Sequence, residues 1–262
     1  MKKRKKTGIF AVASRAIRAI LFPPCCAACR CVLPPDRESS YADAQGCLCD
    51  ACMSDFVRSV REMCPVCGET YAVCECVPDA LSCVGIDRAY ASFAYDKMKR
   101  KSASSAIIYK LKDGKSNDVT RFCAHLFARR LEKAALTSDF DLDGCTVTFA
   151  PRRRRAVREN GADHMEKTAK LTAKLLGLPF ESVLVNTART AQKKKNAESR
   201  LDAAERSIKV KKRAEKDIAG KRYVVLDDIL TSGATLAACV GKLCDLGASD
   251  VIVCTLAKTK ST

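Results

Sequence analysis

The sequence has no tryptophan, only two histidines and no apolar run of membrane-spanning length. Aromatic residues make up 6% of the chain, which argues against a surface that binds nucleic acid by base stacking. His125 and His164 lie far from most of the cysteines, so a catalytic zinc site with a histidine ligand is not expected. Arg15 and Arg18 interrupt the apolar stretch near the N-terminus, which argues against a signal peptide or a membrane span there.

Positive charge is abundant, with 47 lysines and arginines against 30 acidic residues and a net charge of +17. The basic residues cluster at positions 2–6, 152–155, 193–195 and 209–213. Such an excess favours polyanionic ligands, either phosphorylated small molecules or nucleic acid. Hydrophobic residues make up 47% of the 262 residues, enough for one large domain or two smaller ones.

Residues 1–24 form a basic segment with the spacing of an amphipathic helix. We expect this segment to be solvated, and contact with nucleic acid or an anionic membrane surface is the alternative. The chain is expected to be cytoplasmic and to have no transmembrane segment, with peripheral attachment to a membrane as the alternative.

Cysteine is also abundant, and twelve of the 17 cysteines lie between Cys25 and Cys83. Three C-x₂-C pairs and one C-x-C pair predict a zinc-binding module over residues 25–83. The predicted ligands are Cys26, Cys29, Cys49 and Cys52 at one site and Cys64, Cys67, Cys74 and Cys76 at another. An interleaved pairing is equally allowed, and Cys25, Cys31 or Cys47 could replace a neighbouring ligand.

All-thiolate zinc sites leave no open coordination position, so the zinc is expected to be structural. Little else in this region could build a core, and metal binding would supply on the order of 10–16 kcal/mol for its folding. Cysteines without metal, either reduced or redox-active, are the alternative. The remaining cysteines lie in apolar stretches and are expected in the core: Cys83, Cys123, Cys145, Cys239, Cys244 and Cys254.

The most informative stretch runs from Tyr223 to Leu236, where an apolar run ends in Asp227 and Asp228. A Thr-Ser-Gly turn and a segment of helical spacing follow, so the order predicts strand, acidic edge, anion-binding turn and helix. The two carboxylates suit the vicinal hydroxyls of a ribose. The backbone N–H groups and hydroxyls predicted to bind its phosphate belong to Thr231, Ser232, Gly233, Ala234 and Thr235.

Two other interpretations of this stretch are open. The aspartates could simply cap a helix, or they could form the Mg²⁺ pocket of a receiver-type domain. The Thr-Ser-Gly-Ala-Thr string favours the phosphate site, because a receiver pocket has no need of five phosphate donors directly after its carboxylates.

From residue 84 onward, strands alternate with helices, which predicts an α/β domain with a parallel sheet and right-handed crossovers over residues 84–262. Predicted strands cover 86–95, 146–151, 183–185, the run that ends in the two aspartates, and 251–256. Predicted helices cover 104–111, 118–135, 163–176 and the segment after the Thr-Ser-Gly turn.

The Asp-Asp-Ile-Leu-Thr-Ser-Gly-Ala-Thr string resembles the phosphoribosyl-pyrophosphate (PRPP) signature of type I phosphoribosyltransferases. The order of cysteine knuckles, Phe93-x-Tyr95, Leu111-Lys112-Asp113-Gly114, a strand ending at Pro151 and this signature resembles the ComF family. That resemblance implies a type I phosphoribosyltransferase-like sheet flanked by helices, behind an N-terminal zinc-finger module. It also implies PRPP with Mg²⁺ as ligand and an association with DNA uptake in competent bacteria.

By the same resemblance, Asp227 and Asp228 are the catalytic pair that binds the ribose hydroxyls. Candidates for the pyrophosphate are Lys112 or the arginine cluster of 152–155 and Arg158. One segment departs from the family pattern Arg-Gly-Phe-Asn-Gln, because residues 161–164 read Gly-Ala-Asp-His. A carboxylate in place of the amide adds repulsion near a pyrophosphate unless a cation offsets it. We expect His164 to lie on a helix surface without a role, and a role as an acid or base is the alternative.

Two functions from different classes follow. The first is a phosphoribosyltransferase, whose acceptor base the sequence does not identify. The second is a binding module in which the zinc region and the basic clusters hold single-stranded DNA or DNA-uptake proteins, and the PRPP pocket acts as a sensor or a relic.

Overall fold

The computed structural model describes residues 23–34, 47–137, 140–161, 163–188 and 197–260. Most of the basic N-terminal segment, Ala162 and the lysine run at 193–195 lie outside these residues. Among the helices of the described ranges, none is both long enough and apolar enough to cross a membrane.

The chain forms eight helices and six strands in the described ranges, with one short 3₁₀ helix. The helices are α1 Asp50–Val60, α2 Asp79–Ser82, α3 Ala103–Asp113, α4 Asn117–Thr137, α5 Arg154–Asn160, α6 His164–Leu176, α7 Ala197–Ser207 and α8 Ala234–Cys244. The strands are β1 Ala89–Tyr95, β2 Cys145–Phe149, β3 Leu184–Asn186, β4 Ile208–Val210, β5 Arg222–Leu230 and β6 Asp250–Thr259. The 3₁₀ helix covers Lys212–Asp217.

Four strands form the central sheet in the order β1-β6-β5-β2, and every neighbouring pair is parallel. The predicted parallel sheet flanked by helices is therefore confirmed. Strand β5 has neighbours on both sides and is buried without interruption from Tyr223 to Leu226. Its continuous run of apolar residues suits a strand that is covered on both faces.

Different helices cover the two faces of this sheet. Val224 and Leu226 belong to the core cluster that contains residues of α3, α4 and α6. Tyr223 and Val225 belong to the cluster that contains the apolar residues of α8. Successive side chains of a strand point to opposite faces, so Tyr223 and Val225 face α8, whereas Val224 and Leu226 face α3, α4 and α6.

Helix α6 begins and ends where the sequence predicts. Asp163 caps its N-terminus, with Oδ1 accepting a hydrogen bond of 3.0 Å from the backbone N–H of Met165. Gly177 ends the helix with φ +68°, a left-handed conformation that favours glycine. The apolar side of α6, including Met165 and Ala169, packs into the core.

Some elements differ from the sequence prediction. Strand β3 does not join the central sheet, because it pairs antiparallel with β4 instead. Helices α1, α2, α5 and α7 and strand β4 were not predicted, and α5 begins within the arginine run at 152–155. The later cysteines also divide: Cys123, Cys145, Cys239 and Cys254 are buried as predicted, whereas Cys83 and Cys244 are exposed.

The cysteine-rich region has more apolar packing than the sequence suggested. Phe56 of α1 is 3% exposed and makes edge-to-face contacts with Phe93 and Phe122, at centroid distances of 5.0 and 5.2 Å. Leu33 and Leu48 are buried in the same cluster as the sheet residues. The prediction that little in this region could build a core was therefore incomplete, because its apolar residues share a core with the sheet.

The end of β6 contacts the second group of cysteines. Lys258 donates through Nζ to the carbonyl of Cys76 at 2.9 Å and to Sγ of Cys74 at 3.5 Å. Arg130 of α4 is 5% exposed and donates to the carbonyls of Ala91 at 3.0 Å and of Cys74 at 3.4 Å. These donors join the cysteine-rich region to the sheet and to α4.

Candidate functional site

The Asp-Asp stretch folds in the predicted order. Strand β5 runs through Asp227 and Asp228 to Leu230, a three-residue turn follows, and α8 begins at Ala234. The first N–H groups of a helix lack carbonyl partners within it and carry partial positive charge. A phosphate placed at this turn would therefore receive backbone hydrogen bonds.

Gly233 is required at this turn by its conformation and its surroundings. Its φ is +76°, and a Cβ built on it would lie 2.8 Å from Cγ of Pro78 and 3.1 Å from Cγ of Leu81. A larger residue would push α2 away from the start of α8. The close approach also places the end of the cysteine-rich region directly behind the turn.

A cleft of about 620 Å³ opens beside the turn, and all five residues of the predicted phosphate site line it. From the turn and α8 it is lined by Thr231, Ser232, Gly233, Ala234, Thr235 and Leu236, and from β5 by Asp227, Ile229 and Leu230. From β3, α7 and the loops nearby it is lined by Arg153, Asn186, Ala188, Arg200, Ala203, Ala204 and Arg206. One carboxylate, three arginines and an open helix start therefore meet in one cleft.

Two of these arginines were missed in the sequence. Arg200 and Arg206 belong to α7, which follows residues that lie outside the described ranges. The signal that could have found them is a helix-favouring run rich in alanine and glutamate, Ala197–Ser207, with an arginine near each end. Arg153 belongs to the predicted basic cluster at 152–155 and does line the cleft.

Asp227 and Asp228 face opposite sides of the sheet. Asp227 lines the cleft, on the same face as α8, and its Oδ1 accepts a hydrogen bond of 2.8 Å from the backbone N–H of Asp228. Burial, followed by the charge of Asp228, raises the pKa of Asp227 well above its ordinary value. Ionised Asp227 is therefore costly in the free protein, and a donor or cation arriving in the cleft would relieve that cost.

Asp228 points to the other face, where it meets two partners. Its Oδ2 lies 3.0 Å from Nε2 of His164 and 3.3 Å from Nζ of Lys112. Burial alone would raise the pKa of Asp228, but the hydrogen bond with His164 and the charge of Lys112 lower it below its ordinary value. Asp228 is thus held as a carboxylate by groups of the protein itself.

The expectation that His164 lies on a helix surface was wrong. Its side chain is 1% exposed, because the first turn of α6 packs against β5 and turns the ring towards Asp228. Its Nδ1 is buried and has no hydrogen-bond partner in the part of the chain that the structure describes. The nearest carboxylate oxygen to Nδ1 is Oδ1 of Asp163, at 3.9 Å.

Asp163 departs from the family pattern, and both of its carboxylate oxygens accept hydrogen bonds from the backbone. Oδ1 caps α6 at Met165, and Oδ2 accepts a hydrogen bond of 2.9 Å from the backbone N–H of Arg152. Arg152 in turn donates through Nη1 to the carbonyl of Lys112 at 3.0 Å. These bonds join the loop after β2 to α3 and α6, the two helices that carry Lys112 and His164.

Two predicted ligand residues are placed away from the cleft. Lys112 contacts Asp228 on the opposite face of the sheet and is not among the described residues that line the cleft. Arg158 is exposed on α5 and is likewise absent from that lining. The structure thus brings together Asp227 and the turn, and separately Asp228 and Lys112.

The cysteines form two compact groups of thiols. The first contains Cys26, Cys29, Cys31 and Cys49, and the second contains Cys64, Cys67, Cys74 and Cys76; within each, all four Sγ atoms lie within 4.8 Å of one another. The second group is the predicted set. The first group contains Cys31 in place of the predicted Cys52. The sequence analysis had allowed for this replacement.

The donor set of both groups fits zinc. Tetrahedral coordination with Zn–S bonds of about 2.3 Å places sulfurs roughly 3.8 Å apart, and the Sγ atoms of Cys29 and Cys49 are 3.6 Å apart. Burial alone would raise the pKa of Cys26, but backbone N–H groups, that of Cys49 first, lower it to about 6. In the same way, backbone hydrogen bonds outweigh burial and lower the pKa of Cys64 to about 7. Each group therefore contains at least one cysteine whose lowered pKa favours the thiolate that binds metal.

Comparison with protein families finds a match for the part of the chain that contains most of the cleft lining. Residues 167–262 match the phosphoribosyl transferase domain. The matched segment contains most of α6, both aspartates, the turn, α8 and β6. It does not reach the cysteine-rich region, and no curated protein matches the chain.

Several solved structures are also similar to the chain. PRPP synthetase from Mycobacterium smegmatis has 18% identity and a TM-score of 0.32, over 55% of this chain and 38% of its own. Glutamine PRPP amidotransferase from B. subtilis has 21% identity and a TM-score of 0.34, over 58% of this chain and 30% of its own. The chain spans between 26% and 38% of the length of these two and of an allosteric regulatory enzyme of purine biosynthesis.

Proposed function

We propose that this chain is a ComF-like protein whose phosphoribosyltransferase domain binds PRPP with Mg²⁺ in the cleft beside β5. The observation that carries the proposal is the placement of Asp227 and the Thr231–Thr235 turn in one cleft, at the carboxyl end of a parallel strand. Open α/β sheets bind their ligands at this edge. The cleft volume of about 620 Å³ is within the range of small-molecule sites.

Each part of PRPP has a counterpart in the lining of the cleft. The 5′-phosphate suits the start of α8 and the hydroxyls around it. The ribose hydroxyls suit Asp227, whose carboxylate accepts their hydrogen bonds. The pyrophosphate suits Arg153, Arg200 and Arg206, since guanidinium groups bind phosphate oxygens through paired N–H donors.

The reaction proposed for this site is transfer of the phosphoribosyl group. The bond between C1 of the ribose and the pyrophosphate oxygen breaks, the electron pair leaves with pyrophosphate, and a nucleophile bonds to C1. The arginines stabilise the leaving charge, and Asp227 orients the ribose and favours the positive charge that develops on it. Mg²⁺, bound to the pyrophosphate, would neutralise part of its charge.

Calorimetric titration with PRPP and Mg²⁺ tests the proposal directly. Zinc-loaded wild type is expected to bind, and the Asp227→Asn/Asp228→Asn double variant to lose binding. Asp245→Asn is the matched control, because Asp245 is exposed at the far end of α8 and pairs only locally with Lys242. Absence of binding by wild type, or equal binding by the double variant, contradicts the assignment.

The DNA-uptake association rests on the ComF resemblance, and its support here is the charge of +17 beside two thiol groups that fit zinc. If the protein holds single-stranded DNA, its affinity must fall steeply as salt rises, because binding to the phosphate backbone releases counterions. That binding should survive Asp227→Asn. If the affinity for single-stranded DNA does not change with salt, binding to the DNA backbone is contradicted and only the phosphoribosyltransferase role remains.

A further inference from the structure

A fifth cysteine lies beside the first group of thiols, one more than a zinc ion needs. Cys52 lies one turn of α1 beyond Cys49, and its thiol interacts with those of Cys49, Cys29 and Cys26. Cys31 interacts with Cys29 and Cys49, and its Sγ lies within 4.8 Å of theirs. Three cysteines are therefore common to both arrangements, and Cys31 and Cys52 each complete a set of four.

A backbone turn places Cys31 in this group. The N–H of Cys26 donates to the carbonyl of Cys31 at 2.8 Å, and the N–H of Arg30 donates to the carbonyl of Cys26 at 3.0 Å. Arg30 has a φ of +64°, which bends the chain back so that Cys31 follows Cys29 on the same side. Cys52 follows Cys49 by one turn at the start of α1.

The second group shows the same turn without the extra thiol. The N–H of Cys64 donates to the carbonyl of Glu69 at 2.7 Å, and the N–H of Gly68 donates to the carbonyl of Cys64 at 2.9 Å. Gly68 has the matching positive φ of +73°. Glu69 therefore occupies the position that Cys31 has in the first group, which makes the second group an internal comparison with only four cysteines.

We propose that Cys31 and Cys52 are alternative fourth ligands of a single zinc ion whose other three ligands are Cys26, Cys29 and Cys49. Structural zinc binds four ligands in a tetrahedron, so one of five thiols is always left over. Cys31 is exposed and Cys52 is partly exposed, so either thiol can sit in water while the other is bound. The second group has no such reserve among the described cysteines.

Zinc content of single and double variants tests the proposal. Wild type is expected to hold two zinc ions per chain, and Cys31→Ser and Cys52→Ser are each expected to keep both against a chelator that leaves wild type loaded. The Cys31→Ser/Cys52→Ser double variant is expected to release one zinc, with affinity reduced by at least about tenfold. Cys76→Ser, in the second group, is expected to release one zinc as a single substitution.

Cobalt replacing zinc gives a second measurement on the same variants. Absorption in the thiolate-to-metal charge-transfer region reports the number of sulfur ligands, so both single variants should keep the intensity of wild type. The double variant should lose part of it. Cys83→Ser is the control for removal of an exposed thiol outside both groups.

Alkylation of the zinc-loaded wild type, followed by peptide mapping, locates the thiol left over. Label shared between positions 31 and 52 supports the proposal. Label at one of them alone, or loss of zinc from one single variant and not the other, shows a fixed fourth ligand and overturns it. Retention of both ions by the double variant overturns it as well, and retention of the second zinc in every first-group variant shows that the protein is folded.

Discussion

Adjacent aspartates of β5 belong to different environments, one on each face of the sheet. Asp227 faces the cleft and its pKa is raised well above normal, mainly by burial. Asp228 faces α3 and α6, and its pKa is lowered because the bonds with His164 and Lys112 outweigh burial. The alternation of a strand thus divides a two-carboxylate motif into a residue open to ligand and a residue held by the protein.

The largest expected effect of separating the two aspartates is on ligand binding. Asp227→Asn and Asp228→Asn should each weaken PRPP binding by at least tenfold, about 1.4 kcal/mol, and Asp227→Asn should have the greater effect because Asp227 alone of the pair lines the cleft. Calorimetry with PRPP and Mg²⁺ on each single variant measures this. A greater loss in Asp228→Asn would place the ligand on the other face of the sheet.

The same two substitutions should change stability in opposite directions. Asp227→Asn removes a carboxylate that is costly to ionise, and should raise the free energy of unfolding at pH 7. Asp228→Asn removes a charge-assisted bond to His164 and the ion pair with Lys112, and should lower that free energy by about 1–3 kcal/mol. Urea unfolding of the ligand-free, zinc-loaded proteins measures both changes, and effects of the same sign would contradict the comparison.

Stability should also depend on pH in opposite ways for the two residues. The pKa of Asp227 is raised in the folded state, so stability is lost as pH rises above about 4, the pKa of aspartate in the unfolded chain. Asp227→Asn should therefore lose less stability than wild type as pH rises above this value. A lowered pKa means that stability is lost as pH falls below about 4, so Asp228→Asn should reduce the acid loss. Melting temperatures of wild type, Asp227→Asn and Asp228→Asn, measured from below to above about pH 4, test both signs. Asp245→Asn is the control and should follow wild type.

A smaller effect is expected from conservative replacement of the residue that holds Asp228. His164→Gln keeps an N–H donor for Oδ2 of Asp228, whereas His164→Ala removes it and leaves a cavity beside a buried carboxylate. The glutamine variant should bind PRPP within about threefold of wild type, and the alanine variant should bind more weakly and unfold at lower urea, by roughly 1–3 kcal/mol. His125→Gln on α4 is the control, and equal behaviour of the glutamine and alanine variants would show that the bond to Asp228 has no role.

The sequence predicted the elements whose signals are local. The β-branched run, the two aspartates and the Thr-Ser-Gly turn specify strand, turn and helix within fourteen residues, and the C-x-C and C-x₂-C spacings specify the second group of thiols. Because side chains alternate along a strand, the sequence also implied that Asp227 and Asp228 face opposite sides of the sheet. Both had nevertheless been predicted to bind the ribose hydroxyls. Local patterns were therefore sufficient wherever neighbouring residues make the structure.

Features that depend on distant contacts were not predicted. His164 meets Asp228 across 64 residues of sequence, and nothing near His164 indicates that its side of α6 is buried. The packing of Phe56 on Phe93 and Phe122 likewise requires the sheet to be known. Cys31 entered the first thiol group because Arg30 adopts a positive φ, a conformation that arginine does not signal.

The bond between Lys258 and Cys74 has a consequence for the order in which the chain is completed during synthesis. The two residues are 184 positions apart, so a ribosome releases all four cysteines of the second group long before their cationic neighbour. A nascent chain can bind metal at the second group early. The hydrogen bonds from Lys258 to Cys74 and Cys76 form only after β6 has been made. Maturation of the second group therefore waits for β6, whereas all the thiols of the first group lie between Cys26 and Cys52.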